Sequence, residues 1–148
     1  MSSNAVHISN LDTPAASSGL PWWKALITGA AGAAAVNLLI FAIAKLADAS
    51  LTVVNGPDEH PITLGGVIGS SVIPLVIGTG AALLLSLWKP VFLRIAQYVG
   101  GGLALLSVAG PLSSDADGGT VAALSLMHLT LGLAVVTTLE LHRRHRLP

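Results

Sequence analysis

Cysteine is absent from the 148 residues, which excludes disulfide staples, thiolate metal sites and CxxC redox relays. Charge is almost as scarce: Asp, Glu, Lys and Arg make up 9% of the chain, against about 25% in soluble domains. That is too little to cover a surface facing water. Basic and acidic residues number seven each, so no net field favours nucleic acid, and none is expected as a partner.

What fills the chain instead is hydrocarbon. Hydrophobic residues account for 53% of it, and the mean hydropathy is +0.78. A bilayer core about 30 Å thick is crossed by roughly 20 apolar residues in a helix. Runs free of ionised side chains occur at 25–44, 62–88, 95–114 and 118–139. They predict spans at about 24–46, 65–88, 91–112 and 119–140 within a membrane domain covering 22–142. Four all-apolar helices in a chain this short leave nothing to bury them, so the expected fold is an all-α integral membrane protein, a four-helix transmembrane bundle. The first run is too long for a signal peptide, and residues 1–20 lack the basic start of one.

Short cytoplasmic loops retain Lys and Arg. With the amino terminus inside, Lys24, Lys89, Arg94, Arg143, Arg144 and Arg146 fall on the cytoplasmic side and only Lys45 outside. The expectation is a multi-pass protein of the plasma membrane with both termini cytoplasmic. Trp22, Trp23, Trp88 and Tyr98 then lie at the inner interface, where amphipathic rings favour the headgroup layer. Residues 1–20 read as a disordered cytoplasmic tail and 143–148 as a basic one. Lys89, Arg94, Arg143, Arg144 and Arg146 are the expected contacts to lipid headgroups.

The connection between the first two spans places β-favouring residues on both sides of Asn55-Gly56, which predicts a short outer β-hairpin. Lys89-Pro90 makes the link between the second and third spans so short that they form an antiparallel hairpin.

Small residues let helices approach in lipid. Gly66, Ser70, Pro74, Gly78, Ala82 and Ser86 recur every four residues on the second span, and Ala96, Gly100 and Ala104 on the third. Gly29 and Ala33 make a shorter seam on the first. These are the expected helix-packing positions, and Pro74 is a candidate kink.

Two polar residues lie deep. Asn37 is thirteen residues from Lys24 and His128 twelve from Glu140, or roughly 20 and 18 Å along their helices. They form a candidate intramembrane pair, bonded directly or through water, linking the first and fourth spans. His128 also has a sharper reading, as a carrier of protons or substrate, although no intramembrane carboxylate stands ready to take a proton onward. A haem wants paired axial ligands and only His128 is deep. His142 and His145 sit among arginines and read as part of a basic tail, not as a metal site. No cofactor and no metal are expected, and no nucleophile, acid–base pair or metal cluster supplies catalytic residues.

Asn37 in an Ala-rich first span, an outer loop of about twenty residues, Lys89-Pro-Val-Phe-Leu-Arg94 and Met127-His128-Leu129 together resemble a family of small actinobacterial four-span membrane proteins catalogued as a domain of unknown function. The resemblance implies a four-helix membrane fold in the plasma membrane and no activity. The functional reading is a non-enzymatic structural or accessory component. Besides the lipid bilayer, its partner is itself or another membrane protein, met through the small-residue seams. The alternative is a small transporter or channel subunit that uses His128, Asn37 and the Pro74 kink.

Overall fold

The computed structural model describes residues 19–146; most of the 1–20 tail and the last two residues of the basic tail lie outside them. The elements in chain order are α1 (Trp22–Leu46), β1 (Thr52–Asn55), β2 (Asp58–Pro61), α2 (Leu64–Ser86), α3 (Val91–Ser107), α4 (Ala109–Leu112) and α5 (Gly118–Arg146). Four stretches are long and apolar enough to cross a membrane: α1, α2, α3 with α4, and α5. The molecule is a four-helix transmembrane bundle, a multi-pass membrane protein by length and composition. Both described chain ends meet at one end of it, where the Leu20 N–H donates to the Leu141 carbonyl at 3.0 Å. The hairpin lies at the other.

Helix boundaries follow local chemistry. Thr63 caps α2, its hydroxyl accepting from the Gly66 N–H at 3.1 Å. Pro111 has no N–H for the Ser107 carbonyl, and the helix breaks at Val108, dividing α3 from α4. Pro74 lies inside α2 without ending it. The hairpin pairs Asn55 with Asp58 and Thr52 with Pro61. Its two-residue turn is therefore Gly56-Pro57, one residue later than the Asn-Gly signal suggests. Gly56 has φ +65°, as the first position of such a turn requires.

The helix α5 occupies the centre of the bundle, packed along α1 and α3, while α1 also packs along α2. Three apolar layers stack down the bundle. Phe41, Ala44, Leu51, Val67, Ala123 and Met127 form the layer nearest the hairpin. Ala30, Ala33 and Leu75 form the middle one, and Ala82, Leu93 and Leu139 the one nearest the termini.

Close approach is built from small residues against larger ones. A side chain on Gly29 would run into Thr138 of α5, one on Gly132 into Ala104 of α3, and one on Gly100 into Val135 of α5. Ala30 and Ala33 of α1 receive Leu75 of α2. The buried face of α2 is thus Val67, Ser71, Leu75 and Thr79, continuing through Ala82 and Ser86. The small-residue row Gly66, Ser70, Pro74 and Gly78 lies one residue away and stays exposed. The hollows at this interface belong to α1, and α2 supplies the knobs that fill them.

Gly29→Ala and Gly132→Ala should each lower stability by about 1–3 kcal/mol, the usual cost of overpacking. Gly32→Ala, where an added carbon meets nothing within 4 Å, should be neutral or stabilising. Thermal unfolding in detergent measures all three.

Candidate functional site

Between α2, α3 and α5, with Asn37 of α1 at its back, lies a cavity of about 570 Å³. Ser70, Pro74 and Gly78 on α2 and Val99 and Leu103 on α3 line it and are exposed on the flank of the bundle. The cavity therefore opens sideways between α2 and α3, toward what is lipid in a membrane. Its lining on α5 runs from Leu124 to Leu139, about 22 Å at 1.5 Å per residue. The shape is a slot.

Both deep polar residues reach this slot, and they do not bond each other directly. Asn37 is 1% exposed and its Nδ2 donates to Ser71 Oγ at 2.8 Å. The single Ser71 hydroxyl hydrogen goes to the Val67 carbonyl at 2.7 Å, so Ser71 must accept from Asn37. That fixes the amide orientation and leaves Asn37 Oδ1 buried with no partner. His128 Nδ1 lies 2.7 Å from the Leu124 carbonyl. A carbonyl only accepts, so Nδ1 carries the hydrogen, and in the neutral ring Nε2 is left as an acceptor. Among the described residues, the other buried side-chain atoms without partners are the hydroxyl oxygens of Thr79, Ser125 and Thr138.

The small-residue seams divide. On α3, Gly100 and Ala104 touch α5 at Val135 and Gly132, and Ala96 packs beside Leu93 and Leu139. The same three residues also line the slot. On α2, Ser70, Pro74 and Gly78 line its opposite wall, Ala82 is buried in the layer nearest the termini, and Gly66 is exposed.

At the hairpin end, Asp117 ties three segments together. Its Oδ1 accepts from the Gly119 and Thr120 N–H groups at 2.9 and 3.0 Å, capping α5. Its Oδ2 accepts from the Ser50 N–H at 3.1 Å and from the Ser50 and Thr120 hydroxyls. Thr120 Oγ1 accepts in turn from the Leu51 N–H at 2.9 Å. Leu51, held at φ 51°, is thereby turned into the apolar layer beside Phe41 and Met127. The Val54 N–H donates to the Asp115 carbonyl at 2.9 Å and fastens the hairpin itself. The hydrogen bonds from Ser50 and Thr120 hold the Asp117 carboxyl well below the usual carboxylate range.

At the termini end, Glu140 accepts from Arg143 Nε and Nη2, both at 2.7 Å, from Arg144 Nε at 2.9 Å and from Gln97 Nε2 at 3.0 Å. Two of the expected headgroup cations are thus paired within the chain. Arg146 Nη1 lies 3.4 Å from the Ser86 carbonyl, while Lys89 and Arg94 are exposed. Among the described residues no three of His, Asp and Glu gather into a metal-binding group.

Sequence reasoning overlooked Ser71, Asp117 and Gln97. Asp117 carries a legible signal, an Asp directly before an apolar run with Thr three residues on. Ser71 shares a four-residue phase with Val67 and Leu75, but its neighbour Ser70 shares one with Gly66 and Gly78. Gln97 stands one turn from Arg94 and gives no hint of its partner across the bundle.

A family model matches residues 18–145. The chain belongs to the family of unknown function DUF6069. No curated protein and no solved structure matches this DUF6069 member.

Asp117 has a folded-state pKa below its unfolded value. Its contribution to stability is therefore complete above the ordinary carboxylate pKa of about 4 and is lost as pH falls below it. Asp117→Ala should speed amide exchange at Leu51 and Val54 at neutral pH and leave the helix centres unchanged. Acidification below pH ~4 should speed the same amides in the wild type and change them little in the variant. Hydrogen–deuterium exchange reads both.

Proposed function

We propose that this protein is a non-enzymatic component of the plasma membrane, with both termini cytoplasmic, that works by holding an elongated apolar guest in the slot between α2 and α3. The observation that supports this is the face of α2 bearing Ser70, Pro74 and Gly78: it is left uncovered by the bundle and forms one wall of a 570 Å³ cavity. Ligand cavities fall at about 300–1,000 Å³ and are mostly apolar with a few placed polar groups. This one matches in size and in lining. Small residues on both walls make room for the guest where larger ones would close the gap.

The orientation rests on six of seven basic residues falling on the side of the termini. The actinobacterial source implied by the resemblance belongs with this reading. A role as an accessory subunit joined to itself or to another protein draws on the same open face of α2, with Gly66 and Gly78 as contact points. A transporter reading draws on His128, Asn37 and Pro74 all bordering the slot. Flux of a guest across sealed vesicles, abolished by His128→Ala in folded protein, decides for transport.

Gly78→Phe fills the slot from a position where an added carbon meets nothing within 4 Å. It should leave folding intact and abolish adducts of hexadecyl methyl ether seen by native mass spectrometry with the wild type. Undiminished adducts would contradict the assignment of the guest to this slot. Single cysteines at Ser3 and Asp58, in a chain that has none of its own, should label from opposite sides of sealed cells. Labelling of both from outside would reverse the orientation.

A further inference from the structure

We infer that the guest is a neutral lipid carrying a hydroxyl, its one O–H donated to Asn37 Oδ1 at the end of the slot that His128 also borders, and its chain lying along the slot toward the termini. This rests on the slot being a binding site and names what it selects.

The polar groups of the slot are gathered at one end. Counted from the hairpin ends of their helices, Ser107 and Ser70 lie about 8 and 9 Å in, and Asn37 and His128 about 14 and 15 Å. Beyond them the lining is apolar: Pro74, Gly78, Ala96, Val135 and Leu139, reaching about 31 Å on α5. A guest matched to this wall has its head in the half nearer the hairpin and its tail in the other.

The head is a donor, because both groups waiting for it are acceptors. Asn37 is 1% exposed, its amide orientation is fixed by Ser71, and its Oδ1 has no partner. His128 has spent its one hydrogen on the Leu124 carbonyl. A buried acceptor without a donor costs about 1–3 kcal/mol, and the backbone of the surrounding helices has none to give, since its N–H groups are engaged in the ladder.

The head is also uncharged. No Asp, Glu, Lys or Arg lines the slot, so an ammonium or a carboxylate would enter apolar surroundings without a counter-ion. Another helix laid into the slot would bring backbone donors already in use and could answer the acceptor only with a side-chain donor. A hydroxyl-bearing chain supplies the missing donor and fills the apolar length.

The test compares 1-hexadecanol with hexadecyl methyl ether, which has the same chain and an ether oxygen but no donor. Full-length protein in phosphatidylcholine nanodiscs, whose lipid carries no O–H, is offered both in equal amount and the adducts are counted by native mass spectrometry. The alcohol should be retained about ten-fold over the ether, and Asn37→Leu should bring that ratio toward one. Equal retention by the wild type overturns the donor assignment and leaves the slot as a site. Retention of neither, or a dimer without any adduct, overturns the slot itself. The wild-type ratio decides even where a variant fails to fold.

Discussion

The hydrocarbon of a bilayer neither gives nor takes a hydrogen bond, and the polar groups of this bundle answer to that constraint. Hydroxyl donors are mostly served locally, with Thr79, Ser125 and Thr138 the exceptions among the buried, described ones. A helix carries carbonyls one turn back from every hydroxyl, and Ser71, Ser107, Thr130 and Thr137 each donate to one of them. Acceptors are not, because helical N–H groups are already used along the backbone. The same rule treats Asn37 and His128 differently from the hydroxyls around them. Each engages a donor within the protein and keeps an acceptor that no backbone N–H of a neighbouring helix serves. That the two share one cavity makes a structural shortage into a chemical specification.

The cavity itself follows from how unevenly the helices meet. Gly29, Gly100 and Gly132 remove the bulk that would hold α1 and α3 away from α5, so α5 sits close to both. Leu75 of α2 is taken up by the alanines of α1, which leaves mostly small residues of α2 along the slot. What α2 then offers α3 is Ser70, Pro74 and Gly78, and what α3 offers in return is Ala96, Gly100 and Ala104. Two small-residue faces opposite one another leave space unless the backbones close on it. Here the backbones are joined by a short link at the termini end, and α2 packs less extensively on α3 than on α1.

Much of the architecture was legible because it depends on bulk properties. Uncharged runs of sufficient length mark the spans, and β-favouring residues about Gly56 mark the hairpin, since both signals average over many side chains. Asn37 and His128 stand out for the same reason, as polar residues in apolar surroundings. Pairing was harder. A four-residue repeat of small residues and a four-residue repeat of Val67, Ser71 and Leu75 run side by side on α2, and periodicity alone cannot say which turns inward. The neighbour decides that: the alanines of α1 leave room for knobs, not for another row of small residues. The partner of Asn37 was hidden by the same one-residue offset, because Ser71 stands inward and Ser70 does not.

The position of the entrance bears on which functions the slot can serve. Between its polar end and the hairpin lies the layer of Phe41, Leu51, Val67 and Ala123, with Leu51 held in place through Thr120 and the Asp117 carboxylate. Water at the hairpin end meets that layer first, whereas the flank between α2 and α3 is bordered by small exposed residues. A molecule already dissolved in the bilayer reaches the acceptors sideways and keeps its chain in hydrocarbon throughout. One arriving from water at the hairpin end meets that layer, in which the Thr120 bond holds Leu51. A side entrance bordered by small residues is therefore in keeping with the proposed retention of a lipid-phase guest, and the Asp117 latch belongs to the layer on the hairpin side of it.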